Sequence, residues 1–176
     1  MANYDILYED FYYFLFFFII YFIIDRIMVV IDWMPKNTDP RGTGRYLSLH
    51  VLCNLYVTIV YLDDVFMTYY NPFTSATEGV CDRSGTIAIL ALHIYHIVFY
   101  RPLPWIDWVH HIVMIVVMLP MAYALQPSYL LGHGAWFASG LPGGKSLIIY
   151  LMLFFFNFFG FIFYYMVFFI THSQIF

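Results

Sequence analysis

Long runs of apolar residues constrain this chain more than any other feature of its sequence. The first run, residues 11–34, reads FYYFLFFFIIYFIIDRIMVVIDWM, and a helix needs about 20 such residues to cross the hydrocarbon core of a bilayer. Only 10% of the residues are charged, whereas a soluble domain usually has about 25%. Because backbone groups inside a membrane must find hydrogen bonds within the protein, these runs predict transmembrane helices.

The runs are separated by polar loops, so the chain is predicted to cross the membrane repeatedly. We predict an all-α, polytopic transmembrane helix bundle that forms one integral membrane domain over residues 1–176. The five predicted full spans cover residues 11–34, 46–70, 85–100, 105–125 and 146–171. Residues 128–139 are glycine-rich and too short for an ordinary span, so we expect a short or re-entrant helix that lines a polar site.

The charged residues exclude one class of partner and suggest local pairs. The net charge of −4 is scattered, and no basic cluster is present that would bind the phosphates of a nucleic acid. Asp25 and Arg26 lie within the first span, where we expect an internal or interhelical ion pair. Asp63 and Asp64 are neighbours that point about 100° apart on a helix, so we expect solvated or interfacial carboxylates.

One helical hairpin contains most of the polar side chains that are candidates for a site. It reads LHIYHIVFYRPLPWIDWVHHIVMIVVMLPM over residues 92–121, with a tight turn at residues 101–104. His93 and His96 are three residues apart on its first helix, so they share a face.

The second helix of the hairpin carries three further polar residues on one face. Asp107, His110 and His111 follow the spacing i, i+3 and i+4. His96 lies roughly 7 Å from the turn and His110 roughly 9 Å, at the helical rise of 1.5 Å per residue. Because these depths are similar, we expect four imidazoles and a carboxylate to meet inside the bundle.

Three interpretations of this cluster stay open on the sequence alone. The histidines are interhelical hydrogen-bonding groups, or they are acid–base groups in which Asp107 orients His110 or His111 as the catalytic base. The third interpretation is a metal site for iron or zinc. Membrane di-iron lipid oxidases have several boxes of the form HxxxH and HxxHH, and this chain has fewer histidines in a different spacing. We therefore predict no metal ligands.

The first functional hypothesis is a lipid-handling membrane protein that binds, senses or transports lipid, or controls membrane lipid composition. Its cavity would receive a lipid head group, and its aromatic walls would hold the acyl chains. The predicted lipid-binding residues are His50, Asn54, His93, His96 and His133. His50 and Asn54 are four residues apart and share a face of the second predicted span.

The segment DWVHHIVMIVVMLP, preceded by LHIYHIVFYR, resembles the TLC domain family. This family includes Lag-type ceramide synthases, translocon-associated proteins and ceroid-lipofuscinosis membrane proteins. The resemblance covers about residues 47–152, and His110 and His111 match the paired histidines of the family motif. It implies an endoplasmic reticulum or related endomembrane location. In the ceramide synthases, the paired histidines accompany acyl transfer from acyl-CoA to a sphingoid amine.

The chain departs from the synthases where their later His-Asp element falls. Phe137 occupies that place, His133 is the nearest substitute, and no Asp or Glu follows Asp107. The chain is therefore more similar to the non-synthase members, and we expect no cofactor unless acyl-CoA serves an acyltransferase that uses His110 and His111. A structural subunit of a larger membrane complex is the third hypothesis. The expected partners are membrane lipids and a membrane protein or a second copy of the chain.

Overall fold

The computed structural model describes residues 2–33, 41–77, 82–118, 120 and 129–140 of this 176-residue chain. Within these residues the chain is all-helical and has no strand, which confirms the predicted all-α class. The predicted last span, residues 146–171, lies outside the described residues.

The first helix is the longest of those described. Helix α1 covers Ala2–Val30, and its stretch Tyr8–Val30, with a mean hydropathy of 2.2, is long and apolar enough to cross a membrane. Only 22% of its most apolar window is buried inside the protein. The apolar surface of α1 therefore mostly faces outward, unlike that of the core helix of a soluble protein.

The second predicted span, residues 46–70, is a bent pair of helices. Helix α2 covers Thr43–Val60 and helix α3 covers Leu62–Tyr70, with a bend of 44° between them. Taken together, the two helices are also long and apolar enough to cross a membrane. A short helix, α4, covers Pro72–Thr77 in the region that was expected to be a loop.

The remaining helices are shorter. Helix α5 covers Ser84–Phe99, and helix α6 covers Trp105–Ile112 and continues as a π-helix over Val113–Met118. Helix α7 covers Tyr129–Ala135 and continues as a π-helix over Trp136–Gly140. The 16 residues of α5 rise roughly 24 Å, which is less than the roughly 30 Å hydrocarbon core. The number of five spans stays a prediction.

Helix α5 lies against α1, and the two run in the same direction. Asp10 near the start of α1 forms an ion pair with Arg83, which precedes α5, at 3.3 Å. Further along, the Tyr21 hydroxyl of α1 donates to the backbone carbonyl of Ala88 at 3.2 Å. The small, fully buried side chains of Ala88 and Ala91 allow this close approach.

Helix α2 packs against α5 in the opposite direction. At the end of α2, the Tyr61 hydroxyl accepts a hydrogen bond from the backbone N–H of Thr86 at 2.9 Å. At the start of α2, the ring of Tyr46 stacks on His96 near the end of α5. The three helices therefore form a small bundle in which α5 is buried along most of its length.

Asp25 of α1 is the most extensively bonded buried charge in the described bundle, with 1% of its surface exposed. It forms ion pairs with its neighbour Arg26 and with Arg45 of α2, whose Nε lies 3.6 Å from Oδ1. The hydroxyls of Tyr95 and Tyr100 donate to the same carboxylate at 3.0 and 2.5 Å. The predicted ion pair is therefore confirmed, and it joins α1, α2 and the end of α5.

Asp64 differs from the prediction of a solvated or interfacial carboxylate. Its neighbour Asp63 is exposed, but Asp64 is buried with 8% of its surface exposed. The reason is the packing of α7 on α3, because Gly132 of α7 has no Cβ and lets its backbone lie directly against the Asp64 carboxylate and the Tyr61 ring.

We expect Asp25→Asn to destabilise the protein strongly. The change removes a buried negative charge and leaves Arg45 without its ion-pair partner, and breaking a buried pair costs about 3–5 kcal/mol. Unfolding of the purified protein in detergent, followed by circular dichroism, measures the loss. Asp63→Asn is the matched control and should change the stability little, since Asp63 is exposed. Equal stability of the two variants would contradict the role given to Asp25.

We expect Gly132→Ala to destabilise the protein by about 1–3 kcal/mol, as overpacking of a filled interior usually does. A Cβ at Gly132 would overlap the Asp64 carboxylate and lie 2.7 Å from the fully buried Tyr61 ring. Gly134→Ala is the control on the same helix, because a Cβ there has no atom within 4 Å. Thermal unfolding of both variants tests this. A Gly132→Ala variant as stable as Gly134→Ala would contradict the close packing of α7 on α3.

Candidate functional site

The two histidine pairs of the hairpin are in contact. The Nε2 atoms of His93 on α5 and His110 on α6 are 3.1 Å apart. Nδ1 of His96 and Nε2 of His111 are 2.8 Å apart. Helices α5 and α6 are joined by the turn at residues 101–104, and both contacts link a histidine of one helix to a histidine of the other. The structure thus brings together the imidazoles that the helical spacing placed at a common depth.

Helix α2 supplies a third wall of the histidine cluster. The ring of Tyr46 stacks on that of His96, with centroids 3.3 Å apart and an angle of 16° between the planes. The Tyr46 hydroxyl also hydrogen-bonds Nε2 of His50, and the His50 ring stands edge-on to His93 at 5.7 Å between centroids. Tyr46 therefore links the α2 wall to the α5 histidines.

These side chains surround a cavity of about 290 Å³, at the lower end of the volumes found for ligand pockets. We call it the histidine cavity. Its polar lining consists of Tyr46, His50, Asn54, His93, His96, Asp107, His110, His111 and Ser139. Its apolar lining includes Leu92 and Met114. Both ring nitrogens and aliphatic carbons therefore face the same space.

The histidines of the cavity differ in exposure. His93, His96 and His111 are buried, whereas His110 is exposed. The Nδ1 atom of His93 is fixed because it hydrogen-bonds the backbone carbonyl of Ile89, four residues earlier, at 2.7 Å. Nδ1 of His93 must donate in that bond, so its Nε2 carries a lone pair in the neutral ring.

Asp107 lines the cavity but does not orient His111 as expected. In the described part of the chain, Nε2 of His111 is taken by His96, and Nδ1 of His111 is buried without a hydrogen-bond partner. The reason is that His111 turns toward α5 and away from the carboxylate one turn earlier on its own helix. An Asp107–His111 hydrogen bond is therefore not formed among the described residues, and the catalytic roles of Asp107, His110 and His111 stay a prediction.

Of the predicted lipid-binding residues, His133 lies away from the others. Its ring packs against Tyr69 of α3 and Phe137, at 5.8 and 4.7 Å between centroids, and it does not line the histidine cavity. Asn54, in contrast, is buried and lines the cavity. His133 belongs instead to the contact between α3 and α7.

Sequence reasoning missed Tyr46 and Ser139 as cavity residues. The spacing of Tyr46 and His50, four residues apart at the start of α2, was a signal that could have found the tyrosine. Ser139 lies in the glycine-rich segment that was expected to form a wall of the site, and its side chain lines the cavity. No local pattern singles out Ser139 within that segment.

A scan against models of known protein families finds no match to this chain, and searches of curated proteins and of solved structures find none either. The resemblance to the TLC domain family stays a prediction that depends on the hairpin residues and their spacing.

Proposed function

We propose that the chain is an integral membrane protein that binds a lipid by its head group in the histidine cavity. The observation that carries this proposal is a small polar cavity in a bundle whose outer surface is apolar. On α1 alone, the exposed apolar side chains include Phe16, Ile19, Phe22, Ile23 and Ile27. An exposed apolar surface of this extent is typical of contact with membrane or with another protein.

The size of the cavity supports binding of a head group rather than of a whole lipid. A volume of about 290 Å³ is below that of most pockets that enclose drug-sized ligands. Acyl chains would then lie outside the cavity, against the apolar helix surfaces. The Asp107 carboxylate and the lone pairs of neutral imidazoles accept hydrogen bonds. This lining favours a head group with hydroxyl or amine donors.

Several crossings of the membrane and an endoplasmic reticulum location are parts of the same proposal. The opposite directions of α1 and α2 support a first crossing by α1 and a return by α2 and α3 together. The endoplasmic reticulum follows from the TLC resemblance alone. Partners other than lipid, including a membrane protein or a second copy of the chain, would use the exposed apolar surface.

The acyltransferase alternative receives less support from the geometry. A catalytic histidine is usually oriented by a hydrogen-bonded third group, and the Asp107 carboxylate does not bond His111 in the described residues. A lipid-handling protein needs no such orientation. The alternative of a structural subunit shares the apolar surface but assigns no role to the cavity.

We expect native mass spectrometry of the protein released from nanodiscs to detect a bound lipid, which is lost from a His110→Ala/His111→Ala double variant. Both residues line the cavity, so their removal deletes hydrogen-bonding groups around the head group. His133→Ala is the control, since its ring lies outside the cavity. Circular dichroism checks that each variant keeps its helices. A lipid retained equally by the double variant, or none on any sample, would contradict the proposal.

We also expect α1 to cross the membrane in one direction and the α2–α3 pair to cross it in the other. The start of α1 and the end of α3 then lie on one side, and the loop between α1 and α2 lies on the other. In a variant with both native cysteines replaced by alanine, a membrane-impermeant maleimide should label Tyr8→Cys and Phe73→Cys from one side of sealed vesicles. It should label Asp32→Cys from the other side. All three residues are exposed, so access is decided by the membrane. Labelling of all three from the same side would contradict the two crossings.

A further inference from the structure

We propose that His93, His110 and His111 form a mononuclear site for a divalent transition-metal ion, represented by Zn²⁺. One ring nitrogen from each residue can be chosen so that the three atoms lie within 4.8 Å of one another. Three histidines are sufficient for a metal site that keeps a fourth position open. This proposal does not depend on lipid binding.

The distances are close to those that a metal ion requires. Tetrahedral coordination with Zn–N bonds of about 2.1 Å places the ligand nitrogens about 3.4 Å apart. The Nε2 atoms of His93 and His110 are already 3.1 Å apart. Because all three nitrogens lie within 4.8 Å of one another, the third nitrogen needs a movement of at most roughly 1.4 Å to reach this spacing.

The hydrogen-bond partners of the second ring nitrogens of His93 and His111 support the same assignment. Histidines that bind metals usually donate the N–H of the other ring nitrogen to a carbonyl or another acceptor, which fixes the tautomer. His93 does so through Nδ1 to the Ile89 carbonyl at 2.7 Å, and its Nε2 lone pair is thereby directed at His110.

In His111 the two ring nitrogens exchange these roles, so that Nε2 donates a hydrogen bond and Nδ1 is the candidate metal ligand. When Nε2 of His111 donates to Nδ1 of His96 at 2.8 Å, Nδ1 of His111 carries the lone pair. That atom is buried and has no hydrogen-bond partner in the described residues, which is costly for a polar atom. A metal ion at Nδ1 removes this cost. His96, held by its stack on Tyr46, is then a positioning residue.

This proposal departs from the sequence analysis, which predicted no metal ligands because the chain lacks the histidine boxes of the di-iron oxidases. The histidine boxes of membrane di-iron oxidases supply ligands for two ions, and this chain lacks that number. A single ion needs only three of the cavity histidines, and these come from two helices that already touch. An imidazole-only set of ligands suits Zn²⁺, Cu²⁺, Ni²⁺ or iron better than Mg²⁺ or Ca²⁺. The fourth position would be taken by water or by a ligand oxygen within the cavity.

The test is metal binding by the full chain, purified in detergent without a polyhistidine tag and stripped with a chelator. Titration with Zn²⁺ against a chromophoric chelator should show one ion per chain. Titration with Co²⁺ should produce the intense visible absorption of tetrahedral coordination. His110→Ala is the decisive variant, because His110 is exposed and its removal leaves the buried core intact. It should weaken Zn²⁺ binding at least about 100-fold and abolish the Co²⁺ spectrum, a larger loss than removal of a supporting group causes.

Two further variants separate ligands from other histidines. His133→Ala should bind Zn²⁺ as the parent chain does, since its ring lies against Tyr69. His96→Ala should keep one ion per chain with an affinity about 10- to 100-fold lower, as expected for a supporting residue. The proposal is overturned if the parent chain takes up no stoichiometric ion, if His110→Ala binds as tightly as the parent, or if His133→Ala loses the ion. Loss of lipid binding alone leaves these results unchanged, so the two proposals fail separately.

Discussion

The buried carboxylate of Asp25 is the interaction on which the described bundle depends. A charge at this depth is tolerated only if it is paired and hydrogen-bonded, so the two arginines and two tyrosines that reach it are required together. Their origins on α1, α2 and the end of α5 fix the relative position of three helices at one end of the bundle. Apolar packing is non-directional, so the bonded carboxylate fixes the alignment of these helices more specifically than their apolar contacts do.

The same network supports the histidine cavity. The Tyr100 hydroxyl bonds Asp25, and its ring lies 5.6 Å from that of Tyr46 and 5.3 Å from that of His96. Tyr46 in turn stacks on His96 and bonds His50. The positions of the cavity histidines are therefore tied to the ion-pair cluster through aromatic contacts. These aromatic contacts explain the location of the cavity. It forms beside the last turns of α5, close to the first residues of α2 and of α6.

The sequence was sufficient to predict the helical class, the hairpin and the meeting of its histidine pairs, because these follow from periodicity and from distances along one helix. Contacts between distant segments were not predictable in this way. The burial of Asp64 depends on Gly132, which lies far along the chain, and the turn of His111 toward His96 depends on how α6 rotates against α5. The packing of the His133 ring of α7 against Tyr69 of α3, away from the cavity, has the same cause. Nothing local in the sequence specifies these rotations.

His110 lies at the exposed edge of the cavity, whereas its neighbour His111 on the same helix is buried. The α5 histidines His93 and His96 are buried and held by backbone or aromatic contacts. The α6 side contributes His110, which is exposed, from a helix that packs on fewer neighbours among the described elements. A ligand or ion would thus approach from the side of α6 and find the α5 groups already oriented. Such pre-orientation lowers the entropic cost of binding, whether the bound species is a head group or a metal ion.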